Sequence, residues 1–185
     1  MMKSEIRTAN KNKRRAMSKE EAAEKSGLAQ NAFLSSQLYK NAETIMLYYP
    51  LGNETDTSVI AQKAAGDKKR LVYPVTDEKT GEITPYYVNN TGGFHIGAFS
   101  VMEPEATSKA DASDIDVVIV PGIAFGRNGA RIGFGKGCYD GFLKNLGAVK
   151  VGFCYDYQIC GGFIGEEHDI NMDFLITESG VQACE

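Results

Sequence analysis

The densest chemical signal in the chain lies between Pro121 and Phe142, PGIAFGRNGARIGFGKGCYDGF, with glycines at 122, 126, 129, 133, 135, 137 and 141. Seven glycines in that window are too many for turn geometry alone. Glycine lets the backbone approach a ligand or take positive φ, and successive exposed N–H groups form a nest for an anion. Arg127, Arg131 and Lys136 add positive charge to the same stretch. Amides and cations ahead of a helix N-terminus suit a polyphosphate, because they neutralise its charge, donate in forks and add a favourable dipole. The common nucleotide motifs are nevertheless absent. A Walker A loop needs Gly five residues before the Gly-Lys pair and Ser or Thr after it, where this chain has Ala130 and Gly137. A dinucleotide fingerprint needs G-x-G-x-x-G, whereas Gly133, Gly135 and Gly137 alternate and Cys138 takes the third position. Taken alone, the residues also allow a surface loop with chance cations.

A second cationic feature opens the chain. From Met1 to Lys19 there are seven cations against Glu5 alone, a balance of +6 in a protein whose formal charge is −4. Lys3 and Arg7 are four apart, and Lys11 and Arg14 continue the same helical face, so the charges form a stripe. Such a stripe reads either as a solvated helix face or as a dock for something anionic. Other chemistry is thin. Neither a Ser-His-Asp nor a Cys-His arrangement can be recognised. The cysteines at 138, 154, 160 and 184 form no CxxC pair and, with two histidines, no convincing zinc set. Reduced, unpaired thiols are expected.

These residues need elements to hold them. Residues 4 to about 16 lack Gly and Pro and predict a helix, and Ser18 caps a second one running from Lys19 to Tyr39. Thr44 to Tyr49 (TIMLYY) predicts a strand buried on both faces. Asp56 or Thr57 then caps a helix over Ser58 to Ala65 that Gly66 ends. Leu71 to Val75 is the next strand. Asp116 to Val120 predicts another, Tyr139 to Leu146 a short helix stopped by Gly147, Val149 to Phe153 a strand, and Asp173 to Thr177 the last. Thr84 to Val88 and Gly92 to Val101 read as an excursion from the core. Strands alternating with helices imply a single α/β domain over residues 1–185, a mostly parallel sheet flanked by helices in a Rossmann-like three-layer arrangement. Ligands in such sheets bind beyond the carboxyl ends of the strands, so the loop after Val120 is the expected site.

Composition agrees. A chain of 185 residues with 43% hydrophobic and 24% charged residues is a globular protein able to build one core, neither disordered nor collagenous. No apolar run approaches the ~18 residues of a membrane span, and the charged start lacks the apolar middle of a signal peptide, so a cytoplasmic location is expected. A pI near 5.3 argues against a general nucleic-acid binder.

The ordered run Val120-Pro121-Gly122, Ala124-Phe125, Gly129, Arg131-Ile132-Gly133, Gly135-Lys136-Gly137 and Tyr139-Asp140 resembles the signature loop of the 5-formyltetrahydrofolate cyclo-ligases, also called methenyltetrahydrofolate synthetases. Three further segments extend the resemblance over residues 3 to 177. They are Lys3-Ser4-Glu5-Ile6-Arg7 leading to Arg14 and Met17-Ser18, then Tyr49 with Glu54 and Thr57, and His168-Asp169 with Asp173 and Thr177. The resemblance implies ATP-dependent closure of 5-formyltetrahydrofolate to 5,10-methenyltetrahydrofolate, with ATP and Mg²⁺ and with small-molecule substrates only, in a monomer or weak homodimer. By the same resemblance Lys3, Ser4, Glu5, Ile6 and Arg7 serve ATP, as do Arg131, Ile132, Gly133, Phe134, Gly135, Lys136, Gly137, Cys138 and Tyr139. Lys136 and Arg131 act on the transferring phosphate. Tyr49 and Glu54, with Phe134 to Cys138, bind the folate, a carboxylate suiting the paired N–H donors of a pterin. Asp140 and Asp169 are the implied metal ligands. On the residues alone Glu54 reads also as a loop acid, Tyr49 as core, Asp140 as a helix cap and Lys11 to Arg15 as surface. His168 reads as packed or solvated, and His95 stays unassigned.

Two positions depart from the usual family loop. Gly126 stands where Asp is common, removing a possible partner for Arg131, and Cys138 replaces the first of two tyrosines. Gly161 and Gly162 soften a segment often proline-bearing in relatives. Two rivals define the tests. A sugar-phosphate isomerase or CoA-transferase-like enzyme on a related sheet needs a carboxylate or lysine base and no ATP. A non-catalytic anion- or RNA-binding module predicts steeply salt-dependent binding that survives Lys136→Ala.

Overall fold

The computed structural model describes residues 2–89, 93–105, 108–161, 163 and 169–185. Its centre is a seven-stranded sheet. In chain order the strands are β1 (Thr44–Met46), β2 (Arg70–Thr76), β3 (Ile83–Val88), β4 (Phe94–Ile96), β5 (Met102–Pro104), β6 (Val117–Val120), β7 (Ala124–Phe125), β8 (Arg131–Ile132), β9 (Val149–Phe153), β10 (Phe174–Thr177) and β11 (Gly180–Ala183). The main sheet runs β11-β10-β9-β6-β1-β2-β3, while β4-β5 and β7-β8 form separate two-stranded pieces. The five strands from β10 to β2 pair in parallel, and β3 and β11 close the two edges antiparallel. This is the expected α/β architecture.

Alternation along the central strands divides the core in two. Ile45, Leu71, Tyr73, Val117 and Ile119 point to one face, against Phe33, Ile60 and Ala64. These last belong to α2 (Lys19–Ser35) and α4 (Ser58–Gly66). Met46, Val72, Val118 and Val120 point to the other face, against Leu143 of α5 (Cys138–Leu143) and against Leu146. The continuous apolar runs thus mark strands covered on both sides. Ser18 caps α2 as expected, accepting from Glu21 N at 3.0 Å. At α4 the Asp56 carboxylate, not Thr57, accepts from Ser58 N at 3.2 Å.

Several elements differ from the sequence reading. The helix expected from Lys19 to Tyr39 breaks at Ser36, which is extended (ψ 161°), and restarts as α3 (Gln37–Asn41). Ser36 Oγ donates to Phe33 O at 2.6 Å and accepts from Tyr39 N at 3.3 Å, ending one helix and capping the next. β1 stops its ladder at Met46, three residues early. Thr84 to Val88 is no excursion but most of β3, which pairs with β2 across a turn at Asp77–Gly81. The Asp77 carboxylate accepts the Lys79 and Thr80 amides there, and Pro85 faces Pro74 in register, an edge placement proline tolerates. Asp173 to Thr177 is followed by β11, so it is not the last strand. α5 begins at Cys138 and ends at Leu143, with Gly137 at its cap position in the left-handed region (φ 67°). Asp140 lies inside that helix's first turn and is not its cap. Of the Gly92 to Val101 segment, Gly92 lies outside the described residues, as do Gly162 and His168.

Candidate functional site

A cavity of about 930 Å³ opens at the carboxyl ends of β1, β2 and β6, where the topology predicts a ligand site. Tyr48 and Tyr49 follow β1, Thr76 closes β2, and Pro121 follows β6. The glycine-rich segment supplies another wall through Gly133 to Gly137, continuing into Cys138, Tyr139 and Asp140 of α5. Lys3 and Arg7 reach in from α1 (Lys3–Ala16), and Asp169 arrives from the far end of the chain.

Helical spacing sorts the first segment. Lys3 and Arg7 line the cavity, whereas Ser4 and Glu5 are exposed outside it and Ile6 is buried against Ala124, Ala130 and Ile132. Side chains at 4, 5 and 6 rotate off the face that carries 3 and 7. Glu5 instead accepts the Met2 amide at 2.8 Å, so Ser4, Glu5 and Ile6 build the helix without facing the cavity. Ile132 is likewise core. The helix is stitched to the glycine segment: Arg7 Nε donates to Gly133 O at 3.1 Å, and buried Asn10 Nδ2 donates to Ile123 O at 3.0 Å. Lys3 Nζ pairs with Asp169 Oδ2 at 2.7 Å.

Arg131 is not a loop cation. It sits on β8, only 6% exposed, and its Nη2 donates to both oxygens of Asp140 at 3.0 Å while Nη1 donates to Pro121 O at 3.3 Å. Gly133 leaves room for that guanidinium, since a Cβ there would lie 2.8 Å from Nη1. The partner that Gly126 was expected to withhold is therefore supplied by Asp140. The space beside Gly126 is filled by Asn128, whose Oδ1 lies 2.3 Å from where a Cβ would stand.

Lys136 is exposed on the cavity wall, its ammonium 3.7 Å from the centre of the Phe99 ring. Phe99 and Ser100 both take positive φ, 55° and 61°, at the tip of the β4–β5 hairpin. Phe134 lies beneath two cations of α1, with Arg14 at 5.5 Å and Lys11 at 6.0 Å from its ring centre. Arg14 is thus no free surface charge. It donates to Glu54 Oε1 at 3.1 Å, and Glu54 Oε2 accepts the Leu51 amide at 2.9 Å. Burial raises the Glu54 carboxyl above its usual value, with Arg14 and the Leu51 amide pulling it back. Tyr139 is pushed upward by burial and stays a neutral phenol, its ring 5.6 Å from the Arg131 guanidinium.

Asp140 and Asp169 line the same cavity, and each already faces a cation, Arg131 and Lys3 respectively. Among the described residues no three of His, Cys, Asp or Glu cluster to form a metal cage. Two carboxylates fit an ion such as Mg²⁺, which keeps waters and takes phosphate oxygens for its remaining positions. The four cysteines are unpaired. No helix among the described residues is long and apolar enough to cross a membrane.

Sequence reasoning missed Tyr48, Thr76, Phe99, Glu103 and Lys144 as wall residues. Phe99 lies in the segment read as an excursion, and Glu103 two residues beyond its end at Val101.

Comparison with known proteins bears on the same residues. A profile of the 5-formyltetrahydrofolate cyclo-ligase family matches residues 1–178. The chain is 33% identical to the 5,10-methenyltetrahydrofolate synthetase of Aquifex aeolicus, solved by NMR, covering 100% of this chain and 94% of that one with a TM-score of 0.88. The corresponding Mycoplasma pneumoniae structure is 27% identical, covers 96% and 99% of the two chains and gives a TM-score of 0.77. The Escherichia coli K12 5-formyltetrahydrofolate cyclo-ligase is 26% identical over 91% of this chain and 96% of its own length. A match over nearly the whole length, with the same fold beneath it, makes this chain a member of the 5-formyltetrahydrofolate cyclo-ligase family of ligases.

Proposed function

We propose that the protein converts 5-formyltetrahydrofolate and ATP to 5,10-methenyltetrahydrofolate, ADP and phosphate. One observation carries this reading: Lys136 and the Gly133–Gly137 backbone share a single cavity with Lys3 and Arg7, with Tyr49, and with Asp140 and Asp169. An N-formyl group is an amide whose oxygen leaves badly. Transfer of the γ-phosphoryl group to that oxygen releases ADP and turns the oxygen into a leaving group. N10 of the folate then attacks the formyl carbon, loses its proton, and phosphate departs with the C–O bond to leave the methenyl cation.

Such a transfer needs positioning and charge stabilisation rather than a side-chain nucleophile. Lys136 takes charge on the transferring group from the exposed loop, where it is free to follow the phosphate. Arg131 acts differently. It is fixed by Pro121 and orients Asp140. Lys3 and Arg7 complete the positive wall around the nucleotide. Asp140 and Asp169 would hold Mg²⁺, which supplies charge neutralisation between phosphates when bound. Tyr49 and Phe134 offer aromatic faces to the folate, and Glu54 presents a carboxylate oriented by Arg14.

The test is direct: the purified chain with 5-formyltetrahydrofolate, ATP and magnesium should develop the absorbance of the methenyl product. No product without ATP, and one product per ADP released, is the expected pattern. Absence of turnover with every reduced folate tried would overturn the reading.

A further inference from the structure

We propose that Glu103 is a second carboxylate of the folate half of the site and accepts N–H hydrogen bonds from the pterin ring. The proposal rests on the folate reading above and adds a residue to it. Glu103, on β5, is 5% exposed and lines the cavity. Its Oε1 accepts the Thr76 amide at 2.7 Å, which fixes the side chain at the carboxyl end of β2. Among the described residues no cation pairs with it. His95, its register partner across the β4–β5 ladder, is exposed and makes no ion pair with it.

The carboxylate is also built into the backbone. A Cβ on Gly97 would stand 2.0 Å from Glu103 Oε2 and 2.4 Å from Cδ, so only glycine leaves space for the carboxylate where it lies. Burying a carboxylate without a cation is costly unless donors reach it, and the protein provides one. Glu54 stands in a different state, with Arg14 on one oxygen and the Leu51 amide on the other. Among the described residues Glu103 Oε2 accepts no hydrogen bond, which leaves it available to a ligand's donor.

Charge selects the ligand. An uncompensated carboxylate repels a triphosphate, so this wall suits a ligand that is rich in donors and carries no negative charge at that end. A reduced pterin, with its ring N–H and 2-amino groups, meets that description, and a carboxylate acceptor makes those bonds charge-assisted. The position agrees with the folate reading of Tyr49, whose ring lies 5.4 Å from that of Phe94 at the start of the same hairpin.

Glu103→Gln keeps an oxygen for the Thr76 amide and replaces the other with a donor. Calorimetry should show 5-formyltetrahydrofolate binding weakened roughly ten- to hundredfold, with ATP binding unchanged and the melting temperature preserved. A folate analogue lacking the 2-amino group gives a readout a structural role would not move: the wild type should discriminate against it, and the Gln variant should not. Wild-type folate affinity in Glu103→Gln, or equal loss of folate and ATP, would overturn the role of Glu103 alone. A wild-type protein that binds no reduced folate would overturn the folate reading and this proposal with it.

Discussion

Arg14 of the first helix and Glu54 of the loop after β1, forty residues apart in sequence, form an ion pair at 3.1 Å with side chains only 17% and 7% exposed. Removing the cation leaves a carboxylate in a site that disfavours its charge. Arg14→Ala should cost about 2 kcal/mol of stability at neutral pH, read by denaturant melts. An unaltered midpoint would show that the pair contributes no more than an exposed one.

The same pair sets a pH dependence. Glu54 has its folded-state pKa raised by burial, so its proton is held more tightly in the folded chain. Its contribution to stability is present below the unfolded pKa and is lost as pH rises through the folded one. Glu54→Gln removes that titration. The variant should gain on the wild type as pH is raised from about 4 to about 7, and a difference that stays constant would contradict it. With Arg14 also replaced, the wild-type carboxyl should shift further upward and the slope steepen.

Lys136 makes no ion pair among the described residues, and its exposed ammonium rests on the Phe99 ring. Lys136→Ala should lower turnover by at least about a hundredfold while changing stability by less than about 1 kcal/mol. The two effects are read by product absorbance and by thermal melting. A near-normal rate would remove this lysine from the chemistry.

Arg131 should behave in the opposite way. Its guanidinium is buried and bonded to Asp140 and Pro121, so Arg131→Gln should lose about 3 kcal/mol of stability together with activity. Lysine cannot repair it, lacking the fork that spans both acceptors. A variant as stable as the wild type would contradict the structural part of this role.

The departure at Gly126 should prove nearly neutral. Gly126→Asp displaces only the Asn128 amide, which accepts the Ala130 N–H at 3.3 Å, and should cost about 1 kcal/mol with no gain in rate. Gly129→Ala is the contrast. Its φ is +82° and a Cβ would lie 2.3 Å from the Met172 carbonyl, so nothing can yield without moving backbone. A loss of about 3 kcal/mol or more is expected in the same melts.

The parallel core was legible because Ile45, Val118 and Ile119 belong to unbroken apolar runs that only doubly covered strands need. The cavity's cationic wall was legible in part, since spacing places Lys3 and Arg7 on one helical face. What spacing could not supply was partnership. Whether Arg131 meets phosphate or Asp140 depends on where α5 starts, and Gly137 moves that start to Cys138. Nor could it find Glu103, whose neighbours Thr76 and Gly97 come from a different strand and from a hairpin tip. The edge strand β3 was missed because Pro85 within it, facing Pro74 of β2, disguises a ladder that only the pairing of the two strands reveals.

The ion pair between Lys3 and Asp169 joins residues 166 positions apart. The glycine segment and α1 can dock through their own contacts, yet the Lys3 side of the cavity stays unfinished until Asp169 joins it. Long loop closures of this kind come late and slow the search for the native state. Without the stretch from Asp169 onward the Lys3 side of the cavity loses its carboxylate and the main sheet loses β10 and β11, so one short segment finishes the cavity rim and the sheet edge together.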